Sequence, residues 1–335
     1  MNRTRNRVET PGPLTGEISG IAPPSNGAAV DEFPVTVVMV SYRSSRVIGE
    51  SLAPLEAAWK SGLLRCIVVD NSSPDETAEV VARDHPWVEL VRSPGNLGYG
   101  RGCNLGFERV KSPFVLFMNA DVIIDAAAIT TLVEFLKSRG RAGMAAPATQ
   151  FGRFEGLQFA GRIFTPWSLV ASATGIQGLQ PKPRFVRPGE APFKTEWLCG
   201  AVILARSQAI RDVGGFDPRF FLYFEETDLC RRLSAAGWEL WAVGSALATH
   251  YFGLSARQVD KTLSEGDCLS DHYYKSRYYY LSKHYGPLAA AVSEAVELAA
   301  KGARDLLRAL LHRPARHELR NRLKAPVFRW PERIA

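Results

Sequence analysis

The chain has 335 residues, 46% of them hydrophobic and 22% charged, and 41 Lys and Arg against 34 Asp and Glu leave a formal net charge of +7. This balance reads as a soluble globular protein of one large or two modest domains, and no run approaches the roughly eighteen apolar residues of a spanning helix. Excess base calls for an anionic partner such as nucleotide or lipid head groups, while nucleic acid has no supporting motif beyond the charge.

Residues 1–31, rich in Gly, Pro, Ser, Thr and Arg, lack the apolar core of a signal peptide and are expected to form a disordered leader. Order is expected from Phe33, where a β-branched run to Tyr42 predicts a strand buried on both faces. A helix over Ile48–Leu63, a strand over Leu64–Asp70, a helix over Thr77–Asp84 and strands over Val88–Arg92 and Phe114–Asp121 follow. This alternation predicts an α/β fold, a doubly wound and mostly parallel sheet with helices on both faces. Five cysteines without a C-x-x-C pair fit a reduced cytosolic compartment and core packing.

Ligands of such sheets bind beyond the carboxyl ends of the strands. Those ends carry Ser41-Tyr42, Asp70-Asn71, the glycine-rich stretch Asn96 to Asn104, and Asn119-Ala120-Asp121. The glycines would let backbone approach a ligand, and Asn119 and Asp121, at alternate positions, can reach one hard cation or simply end the strand and cap a helix. Residues 151–194 read as an irregular excursion suited to a lid. A buried strand is expected over Thr195–Ala205, with Gly200 where something packs close.

The stretch from Gly215 to Arg232 sets Glu225, Glu226 and Asp228 directly after an apolar run. A carboxylate held against apolar walls has a raised pKa and can serve as general base. The same residues also suit the N-terminus of a helix. His250, in an apolar run, reads as a core residue or as a metal or phosphate contact.

Together, Val40-Ser41-Tyr42, Val69-Asp70-Asn71-Ser72-Ser73, Asn96 to Asn104, Asn119-Ala120-Asp121, Trp197 to Ala201, Gly215-Phe216-Asp217 with Phe221 to Arg231, and His250 resemble a family 2 glycosyltransferase of the GT-A fold, in its bacterial rhamnosyltransferase-like branch. The resemblance runs from about Val35 to Tyr285. It implies donor contacts from Ser41, Tyr42, Asp70, Asn96, Arg101, Asn104 and Asn119, with Asp121, Asn119 and His250 at a divalent metal, Mg²⁺ or Mn²⁺. Glu226 stands at the position of the base beside Glu225, with Asp228 as a substitute, and Trp197 and Gly200 line the acceptor side. Here Asn119 replaces the first Asp of the family's Asp-x-Asp, and a Glu-Glu pair replaces the frequent Glu-Asp. The implied reaction is sugar transfer with inversion from a nucleotide-diphosphate sugar, dTDP-rhamnose first and a UDP-sugar next. The acceptor would be a saccharide or lipid-linked saccharide of the cell envelope.

The alternatives are a non-catalytic nucleotide-sugar-binding protein and a sugar nucleotidyltransferase. The second would want glycine after the first strand, where Arg43-Ser44-Ser45 stands. The expected division is a catalytic domain over 32–255, with a nucleotide-binding half over 32–125 and an acceptor half over 126–255, then a basic helical segment over 256–335. In that segment Leu288, Val292, Val296, Leu298, Leu306, Leu307, Leu310 and Leu311 form an apolar face ahead of a basic run, which suits either an anionic membrane surface or packing on the domain. The protein would work in the cytoplasm or on the cytoplasmic face of the membrane.

Overall fold

A computed structural model describes residues 33–151, 154–155, 159–175, 184–250, 267–314 and 317–324, so the expected leader lies outside the described residues. The first half runs β1 (Val35–Ser41), α1 (Ile48–Lys60), β2 (Leu64–Asp70), α2 (Thr77–Asp84), β3 (Glu89–Arg92), α3 (Tyr99–Phe107), β4 (Phe114–Asn119), β5 (Val122–Ile124) and α4 (Ala126–Lys137). Next come β6 (Ala142–Phe151), β7 (Phe154–Glu155), β8 (Phe159–Gly161), α5 (Pro166–Thr174), β9 (Arg184–Phe185), β10 (Phe193–Thr195) and β11 (Trp197–Leu198). The chain continues through β12 (Val202–Arg206), α6 (Ser207–Asp212), α7 (Glu225–Ala235) and β13 (Glu239–His250), then α8 (Asp267–Tyr285), α9 (Pro287–Leu310) and α10 (Glu318–Lys324).

The main sheet has the order β10-β13-β6-β12-β4-β1-β2-β3, with β5 on β13 and β7 on β6. Strands β4, β1, β2 and β3 are mutually parallel, as are β13 and β6, while β12 runs antiparallel to both its neighbours. Strand β1 is buried throughout because its alternate residues feed two cores. Val35, Val37 and Met39 pack with α1, α2 and α4 on one face, and Val38 and Val40 with α3, α6 and α7 on the other. Helices on both faces of a mostly parallel sheet are the architecture expected from the alternating pattern.

The glycine-rich stretch turns helical at Tyr99, an element that periodicity did not announce. Two expectations need correction. The strand expected over Thr195–Ala205 is divided, because Cys199-Gly200-Ala201 lets β11 join a small sheet with β8 and β9 while β12 joins the main one. The span 151–194 is not irregular throughout, for it carries α5, opened by a capping box between Thr165 and Ser168 and closed by Gly175 in a left-handed conformation.

A third core joins α5 to the C-terminal helices: Leu169, Phe220 and Phe224 pack with Tyr279, Tyr280, Leu281 and Ala290. The tyrosine-rich run therefore packs on the domain along α8, and hydroxyls emerging from this core find acceptors, Tyr279 on Asp217 at 2.9 Å and Tyr280 on the Phe164 carbonyl at 3.1 Å.

Candidate active site

Parallel register puts Ser41 beside Asp70 and Val40 beside Asn119, so the carboxyl ends of β1, β2 and β4 lie level at one edge of the sheet. Asp70 is buried there, with Oδ2 accepting the Ser73 N–H at 3.2 Å and Oδ1 without a donor. Burial raises its pKa, against the Ser73 hydrogen bonds and the Arg92 charge that lower it. The Ser41 hydroxyl is buried and turned towards the Val69 carbonyl at 3.4 Å, while Tyr42 is half-buried with the Arg43 guanidinium 5.5 Å from its ring centre. Arg43 and Ser72, in the loops after β1 and β2, both hold left-handed backbone, with φ of 53° and 59°. Such strain clusters at functional sites.

The glycine-rich stretch is built for close protein packing. Gly98 (φ 80°) lies against the backbone of Phe221, whose carbonyl accepts the Tyr99 N–H at 3.0 Å. Gly102 and Gly106 let α3 settle on Val40 and Val38 of β1. Asn104 is spent as a clamp, donating to the Phe216 carbonyl at 2.8 Å and accepting its N–H at 2.9 Å, so it does not point at a donor as the resemblance implied. Asn96 is exposed, and its Oδ1 accepts from Asn71 Nδ2 at 3.0 Å and from the Gly98 N–H at 3.1 Å. Asn71, named at its strand end but given no role of its own by the resemblance, ties this loop together by also accepting the Leu97 N–H at 2.9 Å. Arg101 is half-buried on α3 and makes no ion pair among the described residues.

This packing brings the acidic stretch to the sheet edge. Tyr223 and Phe224 adopt left-handed backbone in succession, with φ of 68° and 66°, and α7 begins at Glu225. Left-handed backbone costs a non-glycine residue about 1–2 kcal/mol, so the aromatic packing of Phe224 against Phe164, Tyr273 and Tyr280 must hold it. Glu225 is buried against Gly100, and its Oε2 has no hydrogen-bond partner among the described residues. Its pKa is pushed well up, by burial first and by the Glu226 charge second.

Glu226 lies against Gly200, where an added methyl would come within 3.2 Å of its Cβ. Burial raises its pKa too, opposed by the start of α7, by the Thr227 hydroxyl at 3.3 Å and by the Trp197 indole. The Trp197 contact is loose, for that N–H makes no hydrogen bond of normal geometry. The Tyr99 hydroxyl, donating to the Gly200 carbonyl at 3.2 Å, completes the wall. Of the two adjacent carboxyls, Glu225 is the more enclosed and its pKa is pushed up further, so a second negative charge beside Glu226 is disfavoured.

Asp228 is not a second base. Fully buried, it accepts from Arg232 Nε at 2.6 Å, from Lys283 and from His284 Nε2 at 2.7 Å. Burial alone would raise its pKa, but these partners bring it below the usual carboxylate value. Lys283 also reaches Asp217 at 2.7 Å, so α8 grips both sides of the segment that presents Glu225 and Glu226.

Across the site, the antiparallel pairing of β13 with β5 sets His250 opposite Val122 and therefore next to Asp121. Asp121 Oδ1 stands 3.2 Å from His250 Nε2, yet receives no well-directed hydrogen bond and is buried. Asn119 is half-buried, and its N–H donates to Ala201 at 2.9 Å, next to the Gly200 that touches Glu226. The backbone at 200–201 thus joins the two halves of the site.

The profile of the family described as Glycosyl transferase family 2 matches residues 36–199, from β1 to the strand before Gly200. The N-acetylglucosaminyl-diphospho-decaprenol L-rhamnosyltransferase of Mycobacterium tuberculosis is 27% identical over 274 residues, 75% of this chain and 85% of the relative. Rhamnosyltransferase WbbL of Escherichia coli is 26% identical over 202 residues, 54% of this chain and 75% of the relative. The chain carries a glycosyl transferase family 2 domain.

The solved mannosyltransferase PcManGT from Pyrobaculum calidifontis, in complex with GDP-Man and Mn²⁺, superposes with a TM-score of 0.50 at 16% identity, over 87% of this chain and 84% of that one. This glycosyltransferase therefore has the GT-A fold. Among its described residues no cluster of three or more His, Cys, Asp and Glu could hold a metal. Asp121 and His250 still suit a divalent cation as a two-donor set, since a buried carboxylate oxygen without a donor beside an imidazole leaves the other coordination positions to phosphate and water.

Proposed function

We propose that this family 2 glycosyltransferase transfers a hexose with inversion from a nucleoside-diphosphate sugar to a lipid-linked saccharide in envelope polysaccharide synthesis. The favoured donor is dTDP-rhamnose, with a UDP-sugar next, and the place of work is the cytoplasmic face of the membrane. The observation that carries the reading is the Glu225-Glu226 pair at the carboxyl edge of the sheet, Glu225 buried against Gly100 and Glu226 half-buried against Gly200, both with raised pKa. The relatives' names support the sugar and the lipid-linked acceptor.

In the reaction Glu226, its pKa raised towards the working range, takes the proton of an acceptor hydroxyl. That oxygen attacks the anomeric carbon, the bond from carbon to the diphosphate oxygen breaks, and nucleoside diphosphate leaves. Glu225, its pKa pushed well up by burial, disfavours a second negative charge beside the base. Asp70, Ser41, Tyr42, Asn96 and Arg101 face the nucleoside from the sheet edge, and Trp197 and Gly200 lie on the acceptor side. A divalent cation, Mg²⁺ or Mn²⁺, held by Asp121 and His250 with Asn119 nearby would neutralise charge on the diphosphate.

The test is thermal stability against a panel of nucleotide sugars, each with Mg²⁺, Mn²⁺ or chelator, followed by transfer to a polyprenyl-diphosphate saccharide. A ligand at a hundred times its Kd adds about 2.7 kcal/mol. The expected result is a metal-dependent shift for dTDP-rhamnose, with transfer. No shift across the panel and no transfer would refute the reading.

A further inference from the structure

Helix α9 is inside out. Its buried residues are Ala290, Ser293, Glu294 and Glu297, and every exposed residue along Pro287–Leu310 is apolar. These form a stripe from Leu288 through Val292, Ala295, Ala299 and Ala303 to Leu306 and Leu310, at spacings of three and four that keep them on one face. Leu288 is 77% exposed and Leu310 67%. At 1.5 Å per residue the stripe is about 33 Å long.

The rotation of the helix is fixed from beneath. Arg277 of α8 donates to Glu294 at 2.9 and 2.7 Å and to Glu297, and Arg322 of α10 donates to Glu294 at 2.6 Å, all four side chains being buried. Turning α9 to hide its leucines would strand two arginines and two glutamates, and breaking a buried pair by removing one partner costs several kcal/mol. The fold thus holds an apolar face towards the outside. Long exposed apolar surfaces of this kind mark an interaction site.

We infer that the outer face of α9 lies on an anionic lipid bilayer, with the helix in the plane of the interface. Charge decides for lipid. Arg313, exposed, follows the stripe directly, and Arg320 and Lys324, also exposed, lie on α10, which packs back alongside α9 through Glu318 and Arg322. The nearest acids are occupied, Asp305 by the N–H groups of Glu318 and Leu319 and Glu318 by Arg304. Helix α5, joined to α9 through Arg304 and the Ala173 carbonyl, carries Trp167 at 74% exposure. An apolar stripe with exposed base beside it is the pattern of an interfacial helix. The surface takes its purpose from the lipid-linked acceptor proposed above and rests on that reading only there.

Flotation of the full chain with vesicles, without sugar or metal, tests it. Vesicles of phosphatidylcholine with about 30% phosphatidylglycerol are expected to bind at least tenfold more protein than phosphatidylcholine alone, as expected of juxtamembrane base. Leu306→Gln with Leu310→Gln should lower binding at least tenfold with an unchanged melting temperature, since both side chains are exposed, and Arg313→Gln with Arg320→Gln should remove the preference for anionic lipid. Failure of the wild type to float, or equal flotation of the leucine variant, would overturn the inference. So would a dimer in sedimentation that the leucine variant dissociates without any vesicle binding. Flotation with a silent nucleotide panel would retain the surface and reject the proposed function, and transfer without flotation would do the reverse.

Discussion

Gly98 is the point at which the glycine-rich stretch and the acidic stretch meet, and replacing it with alanine tests their coupling. Its φ of 80° with ψ of 171° lies in a region essentially confined to glycine. A methyl group there would stand 2.8 Å from both Cα and the carbonyl carbon of Phe221, and closer still to the oxygen that accepts the Tyr99 N–H. Backbone strain of about 1–3 kcal/mol adds to about 1–3 kcal/mol for a disrupted buried hydrogen bond, so Gly98→Ala should destabilise by about 2–6 kcal/mol. Phe221 can yield only by moving Tyr223 and Phe224, the strained pair ahead of Glu225, so turnover should fall further than stability alone explains. Gly95, which has open space where a Cβ would go, is the control, and Gly95→Ala should stay within about 0.5 kcal/mol. Denaturant titration with a common slope measures both. Equal midpoints for the two variants would refute the packing account.

Two further perturbations follow from the charges. Glu225 has a folded-state pKa above its unfolded value, so its favourable contribution is complete below about pH 4 and is lost as pH rises through the folded pKa. Glu225→Gln should therefore melt higher than wild type at pH 8 and lose that advantage near pH 4, and a difference independent of pH would contradict the assignment. Asp217 and Asp228 are depressed, because Arg219, Lys283, His284 and Arg232 outweigh the effect of burial, so their contribution is present above about pH 4 and lost as pH falls through the folded values. Lys283→Met should cost about 1–3 kcal/mol at pH 7, below the cost of stranding a wholly unpaired buried charge because each aspartate keeps other partners, and the penalty should shrink in acid. Thermal melts from pH 3 to 8 check both.

The local parts of the fold were legible because they rest on periodicity. Strand Leu64–Asp70 and helix Thr77–Asp84 begin and end where their sequence predicts. The start of α3 at Tyr99 was hidden because glycine disfavours helix, and only the approach of α3 to Val40 and Val38 explains why glycine is needed there. Within the site, the enclosure of Glu225 and Glu226 follows from the apolar run before them, and the meeting of Asp121 with His250 follows from a strand pairing. The roles of Asp228 and Asn104 were not readable, because each is decided by partners more than 50 residues away: Lys283 and His284 for the first, Phe216 for the second. The amphipathic pattern of α9 was plain in the sequence. Which face it buries depends on Arg277 and Arg322, which no local pattern connects to it.

The central claim is that Glu226 is the proton acceptor in sugar transfer, and Glu226→Gln tests it most directly, because the amide keeps the size and contacts of the side chain but cannot take the proton. The account predicts that transfer falls by at least a thousandfold while the thermal shift with nucleotide sugar and metal stays that of wild type. Turnover within tenfold of wild type would contradict it.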